Sequence, residues 1–176
     1  RMNGALLGAG GAFGGGLLRG ALAVGASYYG ISKAIGGTVG AAVNFEEKFA
    51  DVRKVVDGTP AQLSAVRSEI LALSKTLPVS AAGIADIYAA AGQSGVALNE
   101  LGKFSEMAAK VSVAWDTTQA ETGDALAKIK TQLGLNVDEL GKYADAINYL
   151  SNNSASAAPD LVDYAKRVAA VGKIAG

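Results

Sequence analysis

The sequence predicts an all-α protein: a multi-helix array of about seven short antiparallel helices, preceded by a Gly-rich hydrophobic segment. Three observations predict it. Apolar residues recur at spacings of three and four along residues 45–176, and each run ends at glycine, proline or a polar cluster. No stretch alternates between apolar and polar residues as a half-buried strand does. The connections between runs are short, which favours antiparallel neighbours.

The first three helices are marked by apolar stripes and by residues that begin or end a helix. The first ends at Gly58, Thr59 caps the second and Pro60 opens it. Ser80 caps the third helix, which the segment 92–95 closes. The three stripes are Phe45, Phe49, Val52 and Val56; Leu63, Val66, Ile70, Leu73 and Leu77; and Ile84, Ile87, Tyr88 and Ala91.

The last four helices follow the same pattern. Polar residues 116–118 separate the fourth from the fifth, and Gly134 ends the fifth. Asn136 caps the sixth, which fades at 151–154, and Pro159 opens the seventh. The four stripes are Leu101, Phe104, Ala108, Val111 and Trp115; Leu126, Ile129 and Leu133; Leu140, Ala144, Ile147 and Leu150; and Leu161, Ala165 and Val168. Tyr143 and Tyr149 fall on or beside these stripes and are expected in a core or interface.

The composition argues against an enzyme. The 176 residues include no Cys and no His, which excludes a thiolate nucleophile, an imidazole base and a zinc site of the usual kind. Two carboxylate pairs, Glu46/Glu47 and Asp138/Glu139, are adjacent in sequence and point in different directions on a helix, and we expect each to lie beside a helix start. The basic pairs Lys128/Lys130 and Lys166/Arg167 are typical of a solvated face. The sequence therefore predicts no catalytic residue, metal, cofactor or small-molecule substrate.

A change in composition near Asn44 divides the chain into a Gly-rich hydrophobic segment, residues 1–44, and a helical domain, residues 45–176. The first segment holds 13 of the 23 glycines, three basic residues and no acidic one, for a net charge of +3. The 16 acidic residues all lie in the second, whose net charge is −3. The overall balance of 16 basic and 16 acidic residues thus conceals a cationic segment joined to a mildly acidic domain.

Small residues in the first segment recur at four-residue spacing, which on a helix lets two backbones approach closely. The helix-packing candidates are Gly4, Gly8, Gly16, Gly20, Gly36 and Gly40. The uncharged stretch 2–18 would span about 25 Å as a helix, which is marginal against the roughly 30 Å of a bilayer core. Each glycine weakens an isolated helix by about 1 kcal/mol. Three interpretations remain open: a helix-packing or membrane-active segment, a flexible linker, or a loop buried in an assembly.

Nine short pieces follow one another in a characteristic order and spacing along residues 45–176. They are 45–52, Leu71–Ser74, Pro78–Ser80, Gly83–Ile87, Ala90–Gly95, Leu98–Leu101, Leu133–Leu140, Asp145–Ile147 and Asn152–Ala155. No single piece is diagnostic, but in the order and spacing of the whole series residues 45–176 resemble the core region of phage tail tape measure proteins. The long coiled-coil heptad runs of that family are missing here, and neither end reads as a natural terminus, so we expect a fragment of a longer chain.

The resemblance implies a long, mostly helical protein packed in the lumen of the tail tube, where its length sets tail length. It also implies that the protein leaves ahead of the DNA and helps form a passage through the host envelope. The implied partners are copies of itself, tail tube and tail tip proteins, the host membrane during ejection, and the end of the genomic DNA. The expected location is the virion tail lumen, and the host envelope during infection.

Two alternatives from other classes stay open. A secreted, membrane-active, pore-forming helical protein would use the small-residue spacing as a glycine zipper. A soluble helical adaptor would need only the domain 45–176. A long open reading frame rich in heptads would favour the tape measure interpretation. A short open reading frame would favour the pore-forming interpretation.

Overall fold

The computed structural model describes residues 39–175, with side chains through residue 168, and this part of the chain is entirely helical. Seven helices with no strand among them confirm the predicted fold class. Residues 1–38, and with them most of the Gly-rich segment, lie outside the described part. In chain order the helices are α1 (39–55), α2 (Pro60–Thr76), α3 (Ala81–Gln93), α4 (Leu98–Trp115), α5 (Gln119–Leu133), α6 (Val137–Asn153) and α7 (Ala158–Ala175).

Local hydrogen bonds set most helix boundaries where the sequence predicted them. Thr59, Thr118 and Asn136 each form a capping box with the residue three positions later, and Ser80 accepts from the N–H of Gly83. At the other ends, Gly134 closes α5 in the left-handed conformation (φ 67°). Asp116 does the same for α4 (φ 53°), a conformation that Asn and Asp tolerate better than most residues.

Consecutive helices run antiparallel and alternate helices run parallel. Glu100, near the start of α4, pairs with Lys130, near the end of α5, at 3.0 Å. Lys48 of α1 pairs with Asp86 of α3 at 3.0 Å, and further along both helices Gly92 lies against the side chains of residues 55 and 56. Loops of three or four residues allow this up-and-down order, as predicted.

Residues from Asn44 onward belong to one compact unit, whose core is centred on α3. Seven of the 13 residues of α3 are buried, and α2, α4 and α5 all pack against it. The sequence stripes supply this core, as the 3.6-residue period requires. The largest fully buried apolar and aromatic side chains are Tyr88, Phe104, Ile70, Ile84, Ile87, Leu101, Leu126, Ile129, Leu140 and Val52.

Three stripe positions were predicted wrongly, and one of them is Val168 of α7, which is 51% exposed. Leu133 is 44% exposed and Leu150 is 49% exposed, because each lies in the last turn of its helix, at the edge of the bundle. Tyr149 is 68% exposed on α6 and so lies outside the core, and the alternative that it lies in an interface stays a prediction. Glu46 and Glu47 are also misplaced in the prediction, since α1 is already helical from residue 39 and they lie within it rather than at its start.

Candidate functional site

The predicted helix-packing glycines fall almost entirely outside the described residues. Gly4, Gly8, Gly16, Gly20 and Gly36 precede residue 39. Gly40 lies on α1, where an added Cβ would meet nothing within 4 Å. Close packing through the four-residue glycine pairs therefore stays a prediction.

Close helix packing through glycine occurs instead inside the bundle, at positions the sequence analysis did not select. At Gly92 of α3 an added Cβ would lie 2.7 Å from Val56 Cγ2. At Gly123 of α5 it would lie 3.1 Å from Cα of Ile87 on α3. The available signal was a single glycine inside an otherwise helical pattern, which marks a packing or functional position. These two glycines let α1 and α5 approach α3 closely.

Three of the four carboxylates in the two predicted pairs have structural roles. Glu46 pairs with Arg67, whose guanidinium also lies 5.3 Å from the centre of the Phe45 ring. Asp138 pairs with Lys103 at 2.7 Å, whereas Glu139 accepts from the Asn136 N–H to complete a cap. Asp138 and Glu139 do lie in the first turn of α6, as predicted.

The lysines of the basic pairs are all engaged in ion pairs. Lys128 pairs with Asp124 and Lys166 with Asp163, each at 2.7 Å, and both pairs lie along one helix. Lys130 pairs with Glu100 and is the least exposed lysine among these, with 17% of its side chain accessible. Neighbouring carboxylates thus offset these basic residues, and they do not form a continuous basic patch.

A cleft of about 390 Å³ lies where the end of α4 and the start of α5 meet the first turns of α7. Its apolar wall includes Trp115, Ala125, Pro159 and Val162, and its hydroxyl groups come from Thr117, Thr118 and Thr122. Four carboxylates, Asp116, Glu121, Asp124 and Asp163, and a single ammonium, that of Lys166, complete the lining. The formal charge of the lining is therefore −3.

The carboxylates of this cleft differ in how far neighbouring groups offset their negative charge. Lys166 donates to Asp163 and lowers the pKa of that carboxyl group below its usual value. The Glu121 carboxylate accepts from the hydroxyl of Thr118 at 2.6 Å, as part of the α5 cap. Asp116 makes no ion pair with any residue in the described part of the chain. Its carboxylate is the one whose charge is least offset.

Neither a metal centre nor a membrane-spanning helix is found in the described part of the chain. Within residues 39–175, no group of three or more Asp, Glu, His or Cys side chains is arranged to hold a metal ion. None of the helices in that range combines the length and the apolar character needed to cross a membrane.

Comparison with known proteins identifies the family. A family model described as "Phage-related minor tail protein" matches residues 67–176, from the middle of α2 to the end of the chain. The chain belongs to this family. It is also 30% identical to the "Probable tape measure protein" of Halomonas phage phiHAP-1, over an alignment of 149 positions that covers 77% of this chain and 17% of the relative. No solved structure matches.

Family membership confirms the resemblance to phage tail tape measure proteins seen in the sequence and indicates a structural role in the virion tail, in association with other tail proteins. The chain spans about a sixth of the length of that relative. The match begins at residue 67, so α1 lies outside it. Nevertheless α1 contributes Phe45, Phe49 and Val52 to the buried core, and Val56 follows it directly.

Proposed function

We propose that this chain is part of a tape measure protein that lies in the phage tail lumen, sets tail length during assembly and assists delivery of the genome across the host envelope. The observation that carries the proposal is the similarity to a probable tape measure protein, in a chain whose family is that of phage minor tail proteins. The all-helical fold is consistent with it, since helices are the elements that pack lengthwise inside a tube.

The proposed role is structural and not enzymatic. With no Cys or His in the chain, a catalytic acid or base would have to come from the carboxylates, lysines or tyrosines. Of the carboxylates singled out in the sequence, Glu46 and Asp138 act as ion-pair partners and Glu139 completes a helix cap. In this proposal the protein works through its length, its packing and its surface.

The Gly-rich segment 1–44 has a separate proposed role. Its small-residue spacing would allow tight packing of several copies, so that the segment forms a helical bundle in the tube and enters the host membrane during ejection. Its partners would be copies of itself, tail tube and tail tip proteins, and the end of the genome. The pore-forming secreted alternative is not favoured, because both comparisons lead to phage tail proteins.

The tail-length role is tested by duplicating residues 45–176 in the full-length phage protein and measuring tails by electron microscopy. The duplicated segment has 132 residues. As one continuous helix it would add about 200 Å, at about 1.5 Å per residue. As a folded bundle it would add about 27 Å, the length of its 18-residue helices.

We expect longer tails. The increase in length should be near the value for a folded bundle, about 27 Å, because the unit folds compactly. An increase near the upper value would mean that the bundle opens inside the tube. Viable particles with unchanged tails would contradict a tail-length role for this unit. The unmodified parent phage, grown and imaged in parallel, provides the reference length.

The role of residues 1–44 is tested with the double substitution Gly16→Leu and Gly20→Leu in the same phage. Added bulk at both positions would keep packed helices apart while it raises hydrophobicity and helix propensity. A matched control, Gly25→Leu with Gly30→Leu, makes the same chemical change at positions that have no glycine four residues away. Tail length, particle yield and DNA entry are scored separately.

Normal tails with lost DNA entry would support a channel role, and short or absent tails would support packing inside the tube. Wild-type behaviour in all three assays, or an equal defect in the control, would remove the glycine-packing proposal. The linker interpretation would then be the one left.

A further inference from the structure

The helices of the bundle pack in a regular order of succession. Among α2–α7, each helix packs mainly against the helices one and two places before and after it in the chain. α1 follows the same order, since Glu46 pairs with Arg67 of α2 and Lys48 pairs with Asp86 of α3. Odd-numbered helices therefore lie side by side in one row and even-numbered helices in a second row. A helix in the middle of the rows is covered from both sides.

α6 and α7 are covered from one side only in the described part of the chain. α6 has no helix two places after it, and α7 has none after it at all. Four of the eight large apolar side chains that are exposed in the described residues lie on these two helices, whereas α2 and α3 expose none and α4 and α5 expose one each. The four are Tyr149, Leu150, Tyr164 and Val168. Exposed apolar surface is thus concentrated where neighbouring helices are missing.

The exposed side chains lie on adjacent parts of the two helices. α6 and α7 are antiparallel and are joined by the short segment 154–157, so the last turns of α6 are level with the first turns of α7. Tyr164 and Val168 are four residues apart and therefore lie on one face of α7. A helix that ends a stacked array needs a polar outer face, because an apolar one is left in water. α7 lacks such a face, since Tyr164 is 69% exposed.

We propose that this face of α6 and α7 is covered by a further helix of the same polypeptide, the one that directly follows α7 in the full-length protein. The order of succession places this eighth helix against both α6 and α7, antiparallel to α7, so that it continues interfaces already present in the bundle. Its contact face would carry apolar residues at spacings of three and four, as the earlier stripes do. The inference rests on the proposed function, in which this chain is part of a longer protein, and the relative that it resembles is about six times as long.

The chain has no cysteine, so a single introduced thiol reports on this face alone. Tyr164→Cys is made in the whole 176-residue chain and in a longer chain. The longer chain adds the next residues of the parent reading frame, about 40, enough for two helices and their loops. Any cysteine among the added residues is changed to serine.

We expect a maleimide to label the Tyr164→Cys thiol at least about tenfold more slowly in the longer chain, because labelling then requires the added helix to open. Ser64→Cys is the matched control at an exposed position of α2, remote from α7 in the order of packing. It should be labelled at the same rate in both chains.

Thermal unfolding of the same two chains tests the contact without a thiol. Tyr164→Ala should change the Tm of the 176-residue chain by less than about 2 °C, as at most exposed positions. In the longer chain the same substitution should lower the Tm by about 5 °C or more, because it removes a covered aromatic side chain. Val113→Ala shortens an exposed apolar side chain of α4 and should have the same small effect in both chains.

Equal labelling rates for Tyr164→Cys in the two chains, or equal changes in Tm for Tyr164→Ala, would overturn the proposal. It would also fall if the thiol were already protected in the shorter chain and the protection grew with protein concentration, because a second copy would then cover the face. Neither result bears on tail length, which the duplication experiment decides. Unchanged tails in that experiment would in turn leave the eighth helix standing. A reading frame that stopped shortly after Gly176 would contradict both proposals together.

Discussion

Gly92 lies where α3 passes closest to the end of α1, and its lack of a side chain permits that approach. We predict that Gly92→Ala lowers the free energy of unfolding by about 1 kcal/mol or more. The new Cβ would lie 2.7 Å from Val56 Cγ2 and 3.3 Å from the backbone oxygen of Val55, so buried groups have to move. Overpacking of this kind costs about 1–3 kcal/mol and exceeds the gain in helix propensity. Urea denaturation measures the difference.

Gly141→Ala is the matched control for that substitution. Gly141 also lies inside a helix, but an added Cβ meets nothing within 4 Å. The propensity gain then acts alone, and stability should rise by about 0.5–1 kcal/mol. If both substitutions stabilised the protein, close packing at Gly92 would be refuted.

The buried Tyr88 phenol is expected to lower the free energy of unfolding at alkaline pH. Its burial, and after that the neighbouring Glu69 carboxylate, raises its pKa above the usual 10.0. The unfolded chain therefore releases this proton near pH 10 while the native protein retains it, and stability falls as the pH rises through that value. Between pH 9 and pH 11 we expect wild type to lose about 1.4 kcal/mol more than Tyr88→Phe.

Urea denaturation at the two pH values provides the measurement. Tyr149→Phe is the control, because it removes the same hydroxyl group from a ring that is 68% exposed. Tyr88→Phe should be neutral or slightly stabilising at pH 7, since the hydroxyl has no hydrogen-bond partner in the described structure. Identical alkaline slopes for wild type and both variants would contradict the burial of the phenol.

Each capped helix depends on a few contacts close in sequence, and α6 has the best-formed cap. Asn136 Oδ1 accepts from the Glu139 N–H at 2.9 Å, and the Asn136 N–H donates back to the Glu139 carboxylate at 2.9 Å. We predict that Asn136→Ala lowers stability by about 1 kcal/mol, the usual cost of losing an N-cap. The same measurement on Asn152→Ala, at an exposed position late in α6, should show a change within about 0.5 kcal/mol. An equal loss of stability in Asn136→Ala and Asn152→Ala would argue against a specific cap at Asn136.

The folding unit as a whole extends beyond the family match, because α1 is part of the core. Residues 67–176, the matched range, lack α1 and the start of α2. Without Phe45, Phe49 and Val52 the facing surfaces of the bundle would be exposed, and each lost aromatic side chain is worth about 3–5 kcal/mol. We predict cooperative thermal unfolding, followed by circular dichroism, for residues 44–176 and none for residues 67–176. Cooperative unfolding of the shorter chain would show that α1 is dispensable.

Helix number, helix type and most helix boundaries could be predicted because local interactions determine them. The period of 3.6 residues groups the apolar stripes on one face, and caps such as those at Thr59 and Asn136 bind the backbone three residues away. The ends of the stripes were less predictable. Leu133 and Leu150 continue the apolar period, but they lie in the last turns of their helices and remain exposed. A periodic pattern carries no information about how far the neighbouring helix extends.

The sequence by itself determined the fold class, the capped boundaries and the tape measure resemblance, which depends on the order and spacing of its motifs. Only the tertiary structure decided which glycines permit close packing and which charges meet. Glu46 and Arg67 are 21 residues apart and Lys103 and Asp138 are 35 apart, so no local pattern joins them. The acidic cleft is of the same kind, since its carboxylates come from two segments that are separate in sequence, residues 116–124 and Asp163. Long-range contacts of this kind depend on the relative placement of whole helices, which the packing of their buried faces sets.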